Sequence, residues 1–211
     1  IGTAGIIDHD VDAVEGTIVP AKAALWEEKP LAESFDFAHY CAIHRFLFED
    51  LYEWAGKPRT VDISKKGTQF CPAAQIESTA KAIFARLKKQ NFLVGLDRAH
   101  FISAIVDFYE RTNELHPFRE GNGRTQRVFL SQLARHAGYV IDFARVDPDD
   151  LMIATIQAAG GVDDFLKYLL PLDSYEGSID APVSLHKYLY ANSNPVTYSD
   201  PSGYMSMAGL A

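Results

Sequence analysis

The chain has 211 residues, 47% of them hydrophobic, and a formal net charge of −8 at pH 7. This length and apolar content allow one domain with a sizeable core and exclude global disorder. The negative charge argues against nucleic acid as a partner, and no apolar run approaches membrane-spanning length. Two cysteines, Cys41 and Cys71, are too few for a disulfide framework and fit a reducing compartment. We therefore expect a globular domain with neither a nucleic-acid nor a membrane partner.

Helical patterns open the chain. Residues 20–28 predict a short helix with Pro20 in its first turn. Apolar residues at helical spacing predict an amphipathic helix over residues 36–52. His44 lies on this helix, and we expect it to be a surface or packing residue.

Two β-prone runs follow, over residues 60–64 and 68–71, on either side of a Lys-Lys-Gly segment. Short β-prone runs around a glycine-containing turn predict a β-hairpin. By periodicity alone, this hairpin is a surface feature with no assigned role.

The remaining elements are mostly helical. Asp97 and Asp147 have the form of helix N-caps, and Gly138 that of a helix stop. Residues 139–143 are expected to be a short apolar connection, and helical periodicity is lost after residue 171. Apolar patterns predict helices over residues 73–89, 97–111, 128–136, 147–159 and 163–170. The sequence therefore predicts a mainly α fold with an irregular C-terminal tail.

The most informative stretch is residues 115–127, which joins two of these helical patterns. It combines one histidine, one carboxylate, an asparagine between two glycines, and three arginines. Residues 111–135 hold five arginines against two glutamates, so the charge is locally positive in an acidic chain. This composition favours an anionic ligand over a simple connecting turn.

Each residue type in this stretch suits a nucleotide site. A helix that begins near residue 123 presents unpaired N–H groups to a phosphate. Arg124 and Arg127 lie on one face of its first turn, and arginine forks match phosphate oxygens. Glu120 suits a divalent ion that bridges phosphate oxygens. His116 titrates near neutral pH and can take a proton from a hydroxyl nucleophile.

The order His-x-Phe-x-Glu-Gly-Asn-Gly-Arg-x-x-Arg over residues 116–127 resembles the signature of the Fic (filamentation induced by cAMP) family, with all eight fixed positions matched. Residues 52–61 resemble the family's stretch leading into its target-docking flap. Fic enzymes mostly transfer AMP from ATP to a Ser, Thr or Tyr hydroxyl of a protein. The resemblance implies a Fic-type helical bundle with a β-hairpin flap over the active site. It also implies a protein adenylyltransferase with Mg²⁺ as cofactor and ATP as donor substrate.

The resemblance also assigns roles to individual residues. His116 is the general base, Glu120 binds Mg²⁺, and Phe118 anchors the loop in the core. The nucleotide-binding residues implied are Gly121, Asn122, Gly123, Arg124 and Arg127, with Arg127 at the γ-phosphate. The target-docking flap implied consists of Thr60, Val61, Asp62, Ile63, Ser64, Lys65, Lys66 and Gly67.

The expected domain organisation is an N-terminal extension over residues 1–34, a Fic domain over 35–172 and a turn-rich tail over 173–211. Within the tail, residues 184–196 and 200–203 resemble the end of a rearrangement-hotspot (Rhs) repeat core. Such cores belong to large β-cage proteins that carry toxins. The resemblance implies a bacterial toxin or effector, present in the bacterial cytoplasm before delivery and then secreted or injected into a target cell.

Besides a target protein, the resemblance implies an inhibitory partner. Many Fic proteins are held off by a helix with the pattern Ser/Thr-x-x-x-Glu-Gly/Asn, whose glutamate pairs with the second motif arginine. Glu15-Gly16 has Val11 at the first position of this pattern, and Glu176-Gly177 has Leu172 there. We therefore expect no inhibitory helix in this chain. Either the isolated chain is constitutively active or a separate small antitoxin supplies the glutamate to Arg127, and we favour the antitoxin.

Two alternatives to AMP transfer stay open. The same site could use another diphosphate-containing donor or remove AMP. The chain could instead be an interaction module of a larger Rhs-type assembly, with a core that binds nucleotide without transferring it. The intact His116 argues against such a module, because nucleotide binding alone does not need a base.

Overall fold

The structure, a computed structural model, describes residues 8–27, 34–65 and 68–174. Its described part is mainly α, which confirms the predicted fold class. The helices are α1 Asp8–Glu27, α2 Phe37–Phe48, α3 Ile76–Lys89, α4 Arg98–Leu115, α5 Asn122–His136, α6 Pro148–Ala159 and α7 Asp164–Leu169. The strands are β1 Ser64–Lys65, β2 Thr68–Gln69, β3 Tyr139–Ile141 and β4 Leu172–Ser174. None of the helices described is both long and apolar enough to cross a membrane.

Helix α5 is the centre of the core. Phe129, Leu130 and Leu133 are fully buried, and the helix packs against α1, α2 and α4. The Phe129 ring lies 5.4–5.7 Å, centroid to centroid, from the rings of Phe35, Tyr40, Phe84 and Phe108. Because α5 begins inside the motif, this aromatic packing fixes the position of the loop that precedes it.

The predicted caps are present. Asp97 accepts a hydrogen bond from the main-chain N–H of His100 at 3.0 Å, and Asp147 accepts one from that of Asp149 at 2.8 Å. Gly138, just beyond α5, has a φ of 88°. These local signals set the bounds of helices correctly because each satisfies orphan backbone groups at a helix end.

The prediction for the first helix was wrong at its start. Helix α1 begins at Asp8, twelve residues before the predicted position, and Pro20 lies inside it. Proline in a helix interior removes one backbone hydrogen bond and is normally read as a breaker. Packing outweighs that cost here, because Glu15 and Val19 are buried where α1 meets its neighbours α2 and α5.

The sheets also differ from expectation. The hairpin is present, with Ser64 paired to Gln69, but its strands are only two residues long. The segment expected to be a connection contains β3, which pairs antiparallel with β4. Elements of two or three residues are too short to show a period of two. Lys66 and Gly67 of the flap and the Rhs-like stretch after residue 183 lie outside the described residues.

Candidate active site

The motif forms a tight loop between α4 and α5. His116 caps α4 in the left-handed conformation, with φ 41°, and its N–H donates to the Thr112 carbonyl at 3.2 Å. Gly121, with φ 77°, is the N-cap of α5, which begins at Asn122. A Cβ atom at Gly121 would lie 2.4 Å from the ring of Phe48. Glycine is therefore required there both by conformation and by space.

His116 presents one ring nitrogen as a base. Its Nδ1 lies 3.1 Å from the carbonyl oxygen of Asn113. A carbonyl can only accept, so Nδ1 carries the proton and Nε2 holds the lone pair. The Phe70 ring stacks on the imidazole with centroids 3.8 Å apart. Burial, with a smaller contribution from the charges of Arg59 and Lys65, lowers the pKa of His116 to about 4, so the ring is neutral at pH 7.

Phe118 and Asn122 brace the loop from inside. Phe118 is fully buried and stacks against His44 at 3.7 Å and Tyr40 at 5.9 Å. The Asn122 side chain accepts from the Phe118 N–H at 2.9 Å and donates to the Phe118 carbonyl at 2.8 Å. Phe118 thus lies where an anchor is expected. The Asn122 side chain is turned inward, so only its main chain can serve a phosphate.

His44 is a site residue whose role the sequence did not predict. Its Nδ1 accepts from the Gly56 N–H at 2.8 Å, and its Nε2 donates to the Glu120 carbonyl at 3.0 Å. The residue is fully buried, and burial lowers the pKa of its imidazole to about 4. Its position four residues after Tyr40 and three before Leu47, both core residues, was the available signal.

The first turn of α5 is the part of the site whose chemistry suits an anion. The Thr125 N–H bonds back to Gly121 at 3.1 Å, and the N–H groups before it lie in the turn that has no earlier helical carbonyls. Gly123 is exposed on this turn. Glu120 is also exposed, and its carboxylate accepts from the Gly121 N–H at 2.9 Å and from Arg124 at 3.3 Å. The loop therefore places a carboxylate, helix N–H groups and an arginine together.

The hairpin stands beside this loop. The N–H of Cys71, just after β2, donates to the Glu114 carbonyl at the end of α4 at 3.0 Å. Val61, Ser64 and Lys65 are exposed on the hairpin side of the site. The hairpin thus lies beside His116, because Phe70 stacks on the imidazole and Cys71 is joined to α4 through the main chain.

A glutamate of this chain contacts a motif arginine, although the sequence carries no complete inhibitory pattern. A carboxylate oxygen of Glu15, on α1, contacts the guanidinium of Arg124. The other oxygen accepts a hydrogen bond from the Tyr52 hydroxyl at 2.6 Å. Glu15 is buried, and its partner is the first motif arginine instead of the expected Arg127. Val11, where the inhibitory pattern has Ser or Thr, made the sequence pattern incomplete.

A cavity of about 420 Å³ adjoins the same arginines, between α1 and α5. Its walls are mostly apolar, and both motif arginines form part of its lining. The lining residues are Val19, Pro20, Ala23, Ala24, Glu27, Arg124, Arg127, Val128, Ser131 and Phe143. A ligand at the arginines can therefore extend along α1, and a shift of α1 would reshape the anion end of the site.

Known proteins are similar to this chain in sequence. Residues 34–134 match the Fic/DOC family model. The chain is 41% identical over 155 residues to protein adenylyltransferase VbhT of Bartonella schoenbuchensis. The aligned region covers 74% of this chain and 32% of that protein. It is 43% identical over 122 residues to a probable protein adenylyltransferase Fic of Salmonella typhimurium, covering 58% of this chain and 60% of that protein. The chain thus spans less than two thirds of the length of these two relatives.

Solved structures share the fold. The BepC protein of Bartonella tribocorum with bound AMPPNP gives a TM-score of 0.74 at 27% identity, over 77% of this chain and 85% of that one. The N-terminal Fic domain of a putative cell filamentation protein from Bartonella quintana, with bound ADP, gives a TM-score of 0.78 at 28% identity. The match covers 81% of this chain and 88% of that one. Both of these structures hold an adenine nucleotide.

Proposed function

Because residues 34–134 match the Fic/DOC family model, we propose that this protein is a Fic-type enzyme that transfers AMP from ATP to a Ser, Thr or Tyr hydroxyl of a target protein. One observation carries the proposal: a neutral His116, with Nδ1 held by Asn113, stands at the end of a loop that opens the anion-binding helix α5. Nucleotide binding alone explains the helix end and the arginines. The oriented base is explained only by a proton transfer.

The transfer is an in-line displacement at the α-phosphorus of ATP. The target hydroxyl oxygen attacks phosphorus, and its proton passes to Nε2 of His116. The bond from the α-phosphorus to the oxygen bridging the β-phosphate breaks, and pyrophosphate leaves. The first-turn N–H groups of α5 and the guanidinium groups of Arg124 and Arg127 stabilise the charge that grows on the leaving group. His116 is neutral before the attack because of its low pKa.

Glu120 fits a magnesium ion held jointly with the phosphates. Its carboxylate is exposed at the N-terminus of α5, beside the arginine that faces the same end. Magnesium typically takes one or two carboxylates together with substrate phosphates, so a single carboxylate in this place suffices. When bound, the ion would neutralise charge on the pyrophosphate.

The hairpin is proposed as the docking flap for the target. Residues 60–65 of the flap lead into β1 beside the His116 loop, and the exposed strand β1 can pair with an extended target segment. Main-chain pairing holds a flexible peptide without demanding one side-chain sequence. Val61, 52% exposed, offers an apolar contact beside this edge.

Glu15 is proposed as a restraint supplied by the chain itself. Its carboxylate occupies Arg124 and thereby removes a phosphate ligand, because a guanidinium bound to a carboxylate competes directly with a phosphate. Tyr52 holds the second carboxylate oxygen and keeps Glu15 in place. The separate antitoxin expected from the sequence becomes the second candidate, favoured only if removing Glu15 leaves the chain inactive.

We also propose that the protein acts as a bacterial effector or toxin. The matched structure from Bartonella tribocorum is of a VirB-translocated effector protein, which supports a bacterial effector or toxin for this chain. The Rhs-like resemblance of the tail supports carriage by a larger secreted assembly. Cytoplasmic storage before delivery is part of the same proposal.

A transfer assay tests the activity. The chain is incubated with Mg²⁺, ATP labelled on the α-phosphate and candidate cell lysates, and the labelled proteins are located by mass spectrometry. Label should enter protein with the chain and not with its His116→Ala variant. ATP binding without any label transfer, in the chain and in Glu15→Gly, would support the alternative of a non-transferring module.

A further inference from the structure

Arg59 is a buried cation whose side chain donates to main-chain carbonyls. It lies just after the turn that follows α2 and is only 3% exposed. Its Nε donates to the carbonyl of His116 at 2.9 Å, and its Nη1 to that of Val61 at 2.8 Å. Its Nη2 donates to the carbonyl of Cys71. Hydrogen bonds from a charged donor are among the stronger ones in proteins.

The three carbonyls belong to three places that the site must keep in register. Val61 lies before β1 and Cys71 after β2, so these two carbonyls mark the two feet of the hairpin. The third carbonyl is that of His116 itself. The main-chain N–H of Arg59 donates in addition to the Pro117 carbonyl at 2.8 Å. One guanidinium therefore ties both feet of the hairpin to the loop that carries the base.

The backbone at His116 gives this connection its importance. A φ of 41° is uncommon for a residue other than glycine, and such backbone persists only when its surroundings hold it. The Arg59 bond fixes the carbonyl of that residue, while Phe70, next to the second foot, stacks on its ring. Hairpin and imidazole thus move as one unit through Arg59.

We propose that Arg59 is a positioning residue for AMP transfer, which sets the distance between the hairpin flap and the His116 imidazole. The proposal rests on the proposed function, in which the hairpin docks the target. With Arg59 in place, a target strand paired with β1 holds its hydroxyl at a fixed distance from Nε2 of His116. Without Arg59, the two ends of the hairpin can move away from the loop, and the hydroxyl no longer lies within hydrogen-bond distance of His116.

The fork of arginine is what the geometry uses. A planar guanidinium directs donors to three separate carbonyls at once, whereas a lysine ammonium is a compact charge on a flexible stem. Arg59→Lys therefore keeps the charge and loses the positioning, and Arg59→Met loses both. Arg45→Met is the matched control, because the Arg45 side chain is 74% exposed and its carboxylate contact with Glu49 is a long one of 4.0 Å.

The test measures these variants in the Glu15→Gly background, so that the restraint on Arg124 does not mask the rate. Arg59→Met and Arg59→Lys should each lower kcat/KM for the target protein by about 10–100-fold, the scale expected for a misplaced reactant. The dissociation constant for Mg·ATP, from isothermal titration, should change by less than about twofold, since the nucleotide contacts are untouched. Arg45→Met should match the parent in both measurements.

Amide hydrogen exchange keeps the test decisive if Arg59→Met does not fold. In Arg59→Lys the amides of Phe70 and Cys71 should exchange faster, while those of α2 keep their protection. A Lys variant with full transfer activity, or with unchanged exchange at the hairpin feet, would overturn the proposal. Proportional loss of ATP binding and transfer would also overturn it, since Arg59 would then support the nucleotide pocket. If the Glu15→Gly parent transfers no AMP at all, the proposed function fails, and the exchange measurement still decides the role of Arg59.

Discussion

Two histidines adjoin the motif loop, His44 fully buried and His116 half-buried, and they differ in how many ring nitrogens the protein uses. His44 has both engaged, one accepting from Gly56 and one donating to Glu120. His116 has one engaged, by Asn113, and among the described residues no bond to its Nε2 is seen. Burial lowers the pKa of each to about 4. The same residue type in the same charge state thus serves as a brace at His44 and is proposed as a base at His116.

The difference shows what to look for in such a site. A low pKa alone does not mark a catalytic histidine, because desolvation acts on any buried imidazole. The informative feature is a lone pair left without a partner while the other nitrogen fixes the ring.

Replacing His116 with alanine should lower the rate of AMP transfer by about 10²–10⁴-fold, the typical loss for a general base. The dissociation constant for Mg·ATP should stay nearly unchanged, because the phosphate ligands on α5 remain. Rate measurements beside isothermal titration check both. A variant that still transfers AMP at near the parent rate would remove the basis for distinguishing the two histidines.

Removing the Glu15 contact from Arg124 should raise the rate of AMP transfer and so make the difference between His116 and His44 variants easier to measure. In Glu15→Gly the guanidinium loses the Glu15 carboxylate and keeps only the exposed Glu120 contact at 3.3 Å, so a phosphate competes for it more easily and the initial rate of transfer should rise by about tenfold or more. Tyr52→Phe, which removes only the hydroxyl that holds Glu15, should give a smaller rise in the same direction. An unchanged rate in both variants would point to a restraint from a separate partner.

Substitutions at His44 should change the stability of the protein through packing and hydrogen bonding, because His44 takes no part in proton transfer. His44→Phe keeps a ring beside Phe118 but leaves the Gly56 N–H and the Glu120 carbonyl, both in part-buried hydrogen bonds, without their imidazole partner, at no more than about 1–3 kcal/mol each. The free energy of unfolding should fall accordingly, as measured by urea denaturation. His44→Gln, which can donate and accept, should restore part of the stability. A loss in transfer as large as that of His116→Ala, with normal stability, would contradict the role of a brace.

The pH dependence follows from the depressed pKa values. The active form of His116 is neutral. The value of kcat/KM should therefore fall on the acid side only as pH drops through about 4, well below the ordinary histidine pKa of 6.5. Stability should fall over the window from about pH 6.5 to 4, because the unfolded chain binds protons at both histidines before the native one does. Rate profiles and urea denaturation across this range measure the two effects separately.

The sequence predicted the parts of the molecule that local rules govern. The motif over residues 116–127, the caps at Asp97 and Asp147 and the central helix α5 all follow from spacing and end chemistry. Glu120, Arg124 and the base were named from their chemistry, although their roles stay predictions until measured.

The parts that were missed depend on contacts between distant segments. Glu15 reaches Arg124 only because α1 packs across α5. In the sequence, Val11 stands where the inhibitory pattern requires Ser or Thr, so the pattern was not matched. The roles of His44 and Arg59 come from carbonyls far along the chain, which no periodicity reveals. Strands of two or three residues are likewise set by pairing partners, not by their own sequence.

The most direct test of the central claim follows two labels in one reaction. Glu15→Gly and the double variant Glu15→Gly/His116→Ala are each incubated with Mg²⁺, target protein and ATP labelled on either the α- or the γ-phosphate. We expect Glu15→Gly to transfer the α-label and never the γ-label, and the double variant to bind ATP while transferring the α-label at least about 10²-fold more slowly. Transfer of the γ-label, or equal transfer of the α-label by both variants, would contradict the assignment of His116 as the base of an AMP transferase.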